Sequence, residues 1–344
     1  MTPDPDTGPI PIVRRHPAPP PPPRVVTDLR TAPVPVQEPA TAEPSSREPR
    51  TAEVEVPTST TESVGPDLVH PPTKKPGRAG RDMVAAVGVG ALLGALILIS
   101  LLVYRPAFLL VLGAAILTGV VELTRALRAG SARAPLVPLL VGTVAMIALA
   151  WTRGASGLVV AFLLTVLAVL LWRLGDGPEG YLRDASAGVL VALYVPLLAG
   201  FAVLLLVPDD GAIRVLVFIA TVVGNDVGGF AAGVLFGKHP MAPSVSPKKS
   251  WEGMAGSVLA CVLVATPIVT LGLGGRWWGG VLVGVALAVS ATAGDLGESL
   301  IKRDLGIKDM GQLLPGHGGI MDRLDSLLPS AAVAYLLLSV VVPA

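Results

Sequence analysis

Two polar stretches interrupt an otherwise apolar chain, and their residue types suit phosphate chemistry. The denser stretch reads Gly294-Asp295-Leu296-Gly297-Glu298-Ser299-Leu300-Ile301-Lys302-Arg303-Asp304, then Lys308-Asp309, then Leu314-Pro315-Gly316-His317-Gly318-Gly319-Ile320-Met321-Asp322-Arg323-Leu324-Asp325. Asp295 closes one apolar run and Asp322 and Asp325 open the next, so three carboxylates are expected at one membrane interface. Carboxylates held together repel, and a divalent cation is the common remedy. Oxygen donors with no cysteine and a single histidine favour magnesium over zinc, and magnesium implies a substrate that carries phosphate. His317, set among glycines, suits a phosphate contact or acid–base work, and equally a turn. Glu298, Asp304 and Asp309 read as well as solvated charges that pair with Lys302, Arg303 and Lys308 at helical spacing.

The earlier stretch begins inside an apolar run at Asn225-Asp226. It continues through Phe236-Gly237-Lys238-His239 and ends at Ser246-Pro247-Lys248-Lys249-Ser250-Trp251-Glu252-Gly253. A carboxylate within a span costs roughly 2.5–3.5 kcal/mol at the bilayer centre, so Asp226 is expected to be paired, metal-bound or facing a wet cavity. Hydrogen bonding between helices for packing alone is the competing account. Lys248 and Lys249 suit anchoring to anionic lipid, and equally, with the hydroxyls of the Ser-Pro-Lys-Lys-Ser turn, the neutralisation of a triphosphate.

The elements that position these residues follow from hydropathy. Of 344 residues 52% are hydrophobic and 15% charged, with a mean hydropathy of +0.67, which is the composition of a chain dissolved mostly in lipid. The expected fold class is all-α, a polytopic membrane helix bundle. Nine spans are expected, near 83–103, 106–122, 135–151, 157–173, 185–207, 213–236, 254–273, 277–294 and 326–343, each close to the ~20 residues that cross a bilayer core. Glycines at Gly88, Gly90 and Gly94 and at Gly228, Gly229 and Gly233 are expected to let helix backbones approach closely. Cys261 lies in an apolar run and reads as a small buried hydrophobe.

Residues 1–82 are Pro-, Thr- and Glu-rich, carry five consecutive prolines from Pro19 to Pro23, and contain no Phe, Tyr or Trp. They are expected to form a disordered tail ahead of a membrane domain at 83–344. No basic segment followed by an apolar run opens the chain, so the first hydrophobic helix is expected to act as its own insertion signal.

Basic residues alternate along the connections. They cluster before the first span (Lys74, Lys75, Arg78, Arg81) and after the second (Arg125, Arg128, Arg133), fourth (Arg173, Arg183), sixth (Lys238, Lys248, Lys249) and eighth (Lys302, Arg303, Lys308, Arg323). The remaining connections hold one arginine each. The positive-inside rule then puts the N-terminus in the cytoplasm, the C-terminus outside and both polar stretches at the cytoplasmic face. The alanine, arginine and proline bias is that of a GC-rich bacterial gene, which makes the expected membrane the cell membrane. A net charge of +1 points away from nucleic acid as a partner.

The run from Ser299 to Asp325 resembles the signature of the phosphatidate cytidylyltransferase family, and Phe236-Gly237-Lys238 with Ser246 to Gly253 is similar to that family's second block, in the same order. The resemblance implies transfer of the cytidylyl group of CTP to phosphatidic acid, giving CDP-diacylglycerol and pyrophosphate. It implies Mg2+, with a second cation left open, on Asp295 and Asp322, with Asp226 and Asp325 near the same centre. Ser246, Lys248, Lys249, Ser250, Lys238 and Lys308 would face substrate phosphates; Lys302, Arg303, Arg323 and His317 would serve the transfer itself. Two positions depart from the pattern: Ser250 stands where threonine is usual and keeps the hydroxyl, while Phe230 stands where tyrosine is expected and loses one. The small-residue helices permit a homodimer. Two alternatives stand beside this reading: nucleotidyl transfer to another lipid phosphate, and an ion-coupled transporter with Asp226 as its ion site.

Overall fold

Apolar runs in lipid have no water to satisfy their backbone groups and must do so internally, as helices. The computed structural model describes residues 79–311, 313 and 318–342. The expected tail lies outside the described residues except for its last four, which already belong to the first helix. In chain order the helices are α1 (Ala79–Val103), α2 (Arg105–Ala129), α3 (Leu136–Leu174), α4 (Tyr181–Ala192), α5 (Leu198–Leu206) and α6 (Gly211–Phe236). A hairpin of β1 (Pro240–Ala242) and β2 (Ser246–Ser250) follows, then α7 (Trp251–Pro267), α8 (Trp277–Asp304), α9 (Met321–Leu324) and α10 (Leu327–Val341). α4 and α5 form one span through a π-helical turn, Leu193–Leu197, around Pro196, whose missing N–H breaks the regular ladder.

The all-α membrane architecture is as expected, but the count is not nine. Among the described residues seven elements are long and apolar enough to cross a membrane, and Gly90–Val103 of α1 is a shorter apolar stretch, so the number is seven to eight. The stretches 135–151 and 157–173 run together as α3, two helical arms that meet at a kink at Gly154 with no loop between them. Gly154, at φ 66° and ψ −151°, bends that element back on itself within one residue. In a straight helix Gly142 and Thr165 would stand ~35 Å apart at ~1.5 Å per residue. Here a Cβ on Gly142 would collide with the Thr165 side chain.

The two ends of α3 consequently meet at one buried carboxylate. Asp184, 1% exposed, accepts from the Arg133 amide at 2.9 Å and pairs with Arg173 at 2.9 Å and Arg183 at 3.0 Å. Arg173 also bonds Asp176. At the same end Gly130, after α2, packs against Leu305, after α8. At the opposite end Arg105 donates to the carbonyls of Pro208 and Asp209, and Arg214 pairs with Asp210 at 2.7 Å. The arginine-rich connections thus gather at one end of the bundle.

Packing follows the glycine pattern in one helix pair and not in the other. On α6 and α7, a Cβ at Gly228 would lie 2.7 Å from the Gly256 carbonyl, and one at Gly256 would lie 2.7 Å from the Gly228 carbonyl. The two backbones therefore touch, as small residues allow in lipid. Gly88 and Gly94 of α1, by contrast, have nothing within 4 Å, so the expected close approach there is absent. Leu163, Leu164, Leu167 and Leu171 face outward on α3, the surface that lipid solvates. Cys261 is buried, as expected, with its thiol donating to the Thr221 carbonyl at 3.3 Å.

Asp184 leaves three donors uncompensated if it is removed. Asp184→Ala is expected to destabilise the bundle by about 3–5 kcal/mol, read as a shift in SDS-induced unfolding of the protein in detergent micelles. An unchanged midpoint would show that the two ends of α3 are held by apolar packing alone.

Candidate active site

The hairpin after α6 folds a basic turn back over the helix ends. Pro240 pairs with Ser250 and Ala242 with Ser246, antiparallel. Ser250 then caps α7, its hydroxyl accepting from the Gly253 amide at 3.1 Å. Glu252, the second residue of α7, accepts from the amides of Lys238 and His239 at 3.1 and 3.2 Å and meets the His239 ring at 2.5 Å. The base of the hairpin is therefore clamped by α7 itself.

Beneath it lies a cavity of about 300 Å³ between α6, α7 and α8. Asp226, Lys248, Lys249, Ser250, Thr292 and Asp295 all line it, with Phe230 at its edge. Lys249 reaches across to Asp295 at 2.6 Å. Asn225 donates to Asp226 at 3.1 Å while its own side-chain oxygen is buried without a partner. Gly229 and Gly233 of α6 also line the wall, where side chains would narrow it. The cavity thus joins two lysines, two carboxylates and an uncommitted amide oxygen.

A second cluster sits where α8 ends and α9 begins. Lys302 bridges Glu298 at 3.1 Å and Asp322 at 3.0 Å. Asp322 also accepts from the Met310 amide at 3.1 Å and the Gly319 amide at 2.8 Å. Asp325 accepts from the Ser326 amide at 2.6 Å. Gly294, beside Asp295, packs so closely on the Asp325 carbonyl that no Cβ would fit, which brings the two clusters together. Asp295 is within electrostatic range of both Asp226 and Asp325.

The structure therefore brings Asp226, Asp295, Lys248, Lys249 and Ser250 into one cavity, and Lys302, Asp322 and Asp325 alongside. Arg323 is exposed, in α9 beside Asp322. Ser246 opens β2; Lys238, Arg303 and Lys308 are exposed on the same connections. His317 lies outside the described residues. Glu298 does pair with Lys302 at helical spacing, but it is 0% exposed, so the pair is buried and not a solvated one. Among the described residues no three His, Cys, Asp or Glu side chains stand close enough together to enclose an ion.

One polar residue carried no signal in the local pattern. Glu122 on α2 is only 6% exposed and accepts from the Met321 amide at 2.8 Å. The clue available in the sequence is a lone acid closing the apolar run 106–122.

The chain is similar to known proteins over most of its length. The pattern of the Cytidylyltransferase family matches residues 84–341. A phosphatidate cytidylyltransferase of Mycobacterium leprae is 46% identical over 285 residues, 78% of this chain and 91% of that protein. One from Mycobacterium tuberculosis strain H37Rv is 45% identical over 283 residues, 78% of this chain and 86% of that protein. A more distant one, from Helicobacter pylori strain 26695, is 43% identical over 155 residues, 44% of this chain and 57% of that protein.

Lys302 bridges two carboxylates, the fully buried Glu298 and the partly buried Asp322. Lys302→Met is expected to lower stability by about 3 kcal/mol, and adding Glu298→Gln is expected to restore part of that loss. A double-mutant cycle in detergent unfolding checks it; additive losses would mean that Lys302 does not bridge the pair.

Proposed function

This chain belongs to the cytidylyltransferase family, and from that premise we infer that it transfers the cytidylyl group of CTP to phosphatidic acid, giving CDP-diacylglycerol and pyrophosphate. A phosphate oxygen of phosphatidic acid attacks the α-phosphorus of CTP; the new P–O bond forms as the bond to the β-phosphate oxygen breaks, and pyrophosphate leaves with that electron pair. The observation that carries the reading is the shared cavity of Lys248, Lys249, Asp226 and Asp295, beside the Lys302–Asp322 pair. The ion-coupled transporter is set aside, because the family match is to transferases. Both reactants are anions, so the site has to neutralise charge and align the attack.

In this reading Lys248, Lys249 and Ser246 hold the triphosphate as it enters under the hairpin, with Lys238 and Lys308 at the rim. Ser250 both caps α7 and offers its hydroxyl proton to a phosphate oxygen. Lys302, Arg303 and Arg323 stabilise the charge that passes to the pyrophosphate, with His317 in the same connection. Mg2+ would be held by Asp295 and Asp322, with Asp226 and Asp325 near, and would supply charge neutralisation between the phosphates. The donor chemistry fits: the groups are oxygens, and the buried Asn225 side-chain oxygen lacks a partner beside Asp226. Asp322 already accepts from three donors, Lys302 and the Met310 and Gly319 amides, so a cation there would compete with them.

The basic connections support a site at the cytoplasmic face, with the N-terminus inside and the C-terminus outside. Phosphatidic acid then enters from the inner leaflet and CTP from the cytoplasm. A homodimer is compatible with the exposed apolar faces and is read by crosslinking in native membranes.

The purified protein is expected to convert radiolabelled CTP into a lipid-extractable product only with Mg2+ and phosphatidic acid. Asp295→Ala and Asp322→Ala are each expected to lower the rate by more than about 100-fold while far-ultraviolet ellipticity is retained. Folded wild type that uses another lipid phosphate and refuses phosphatidic acid would overturn the substrate assignment.

A further inference from the structure

Glu122 has an environment that helix packing alone does not call for. It lies on α2, in the span opposite the connection between α8 and α9, and meets that connection at both of its described ends. Its Oε2 accepts from the Met321 amide at 2.8 Å, across 199 residues of sequence. A Cβ on Gly319 would lie 2.5 Å from the same oxygen, and one on Gly311 would collide with Oε1. A Cβ on Gly319 would also lie 2.8 Å from the Gly311 amide nitrogen, so the two glycine segments touch each other across the carboxylate. Both glycines are thus spaces kept clear for one side chain.

The other side of the same backbone is held by Asp322. Its oxygens accept from Met310, the neighbour of Gly311, and from Gly319 itself, and those two glycines cradle Glu122. Glu122 on the membrane side and Asp322 on the site side therefore grip one pair of backbone crossings. Met321, whose amide Glu122 receives, precedes Asp322 and is itself fully buried. Any shift of that amide moves the Asp322 carboxylate with it.

We propose that Glu122 is a positioning residue: its carboxylate, cradled by Gly311 and Gly319, fixes the Met321 amide and through it sets Asp322 toward Lys302 and the reacting phosphates. The inference rests on the transfer reading above for its kinetic consequence, and on geometry alone for its structural one. A carboxylate placed inside a span is costly unless donors meet it, and here the donor belongs to the catalytic connection.

The test uses the full chain in detergent micelles, with steady-state kinetics and amide hydrogen exchange on the same preparations. Glu122→Ala is expected to lower kcat by about 100-fold, as a misplacement of about 1 Å in a catalytic group can. KM for phosphatidic acid should stay within about twofold, and exchange of peptides covering 305–311 and 318–324 should accelerate while α6 and α7 peptides do not change. Glu122→Gln keeps a carbonyl acceptor for the Met321 amide and is expected to restore kcat to within about threefold of wild type. Wild-type kcat in Glu122→Ala, unchanged exchange in those peptides, or an equal loss in both variants would overturn the proposal. If Glu122→Ala does not fold, Gly311→Ala, which forces the carboxylate away, carries the test: the same loss of kcat supports the clamp and wild-type kcat overturns it. Wild type without product would fail the transfer reading instead, and the exchange measurement would still decide the clamp.

Discussion

A carboxylate inside a bundle of apolar helices is stable only where donors surround it, and Asp322 meets that condition with groups drawn from three parts of the chain. Lys302 comes from the end of α8, Met310 from the connection beyond it, and Gly319 from the approach to α9. Satisfying one charge therefore fixes where these segments stand relative to each other. Lys302 carries the constraint on to Glu298, which is wholly buried one turn from Asp295. Gly294 then brings the α8 carboxylates against α9.

Lipid as solvent accounts for most of what remains. Hydrophobicity drives no association between helices there, so contact depends on shape and on polar pairs. α6 and α7 use shape, with the backbones at Gly228 and Gly256 in contact. The two ends of α3 use polar pairs, converging on Asp184. The bend at Gly154 lets α3 return without spending residues on a loop, which keeps both arginine-rich connections at the end that holds the cavity.

Joining CTP to a lipid phosphate asks a protein to bring two anions together, with an apolar tail on one side and water on the other. A cavity walled by α6, α7 and α8 and roofed by a basic hairpin suits that task, because its lysines face inward while its helices remain in contact with lipid. The hairpin is small, yet Glu252 holds its base through two amides and the His239 ring, so Lys248 and Lys249 sit on a rigid edge.

The sequence by itself determined the class of the molecule, because hydropathy and charge act locally: about twenty apolar residues make a span wherever they occur. The same locality made the carboxylates at 295, 322 and 325 legible as one interface, since they flank neighbouring spans. It could not tell whether the two arms of α3 are joined by a loop or by a kink at a single glycine, because both show the same apolar runs; only φ at Gly154 decides between them. Nor could it show that Gly88 and Gly94 face open space while Gly228 meets Gly256, since a small residue permits close approach without choosing a partner. Glu122 and Glu298 needed the tertiary structure most. Each is a single acid near an apolar helix end, where solvation and burial look alike in sequence, and their partners come from elsewhere in the fold: Met321, 199 residues away, and a lysine that is itself committed to Asp322.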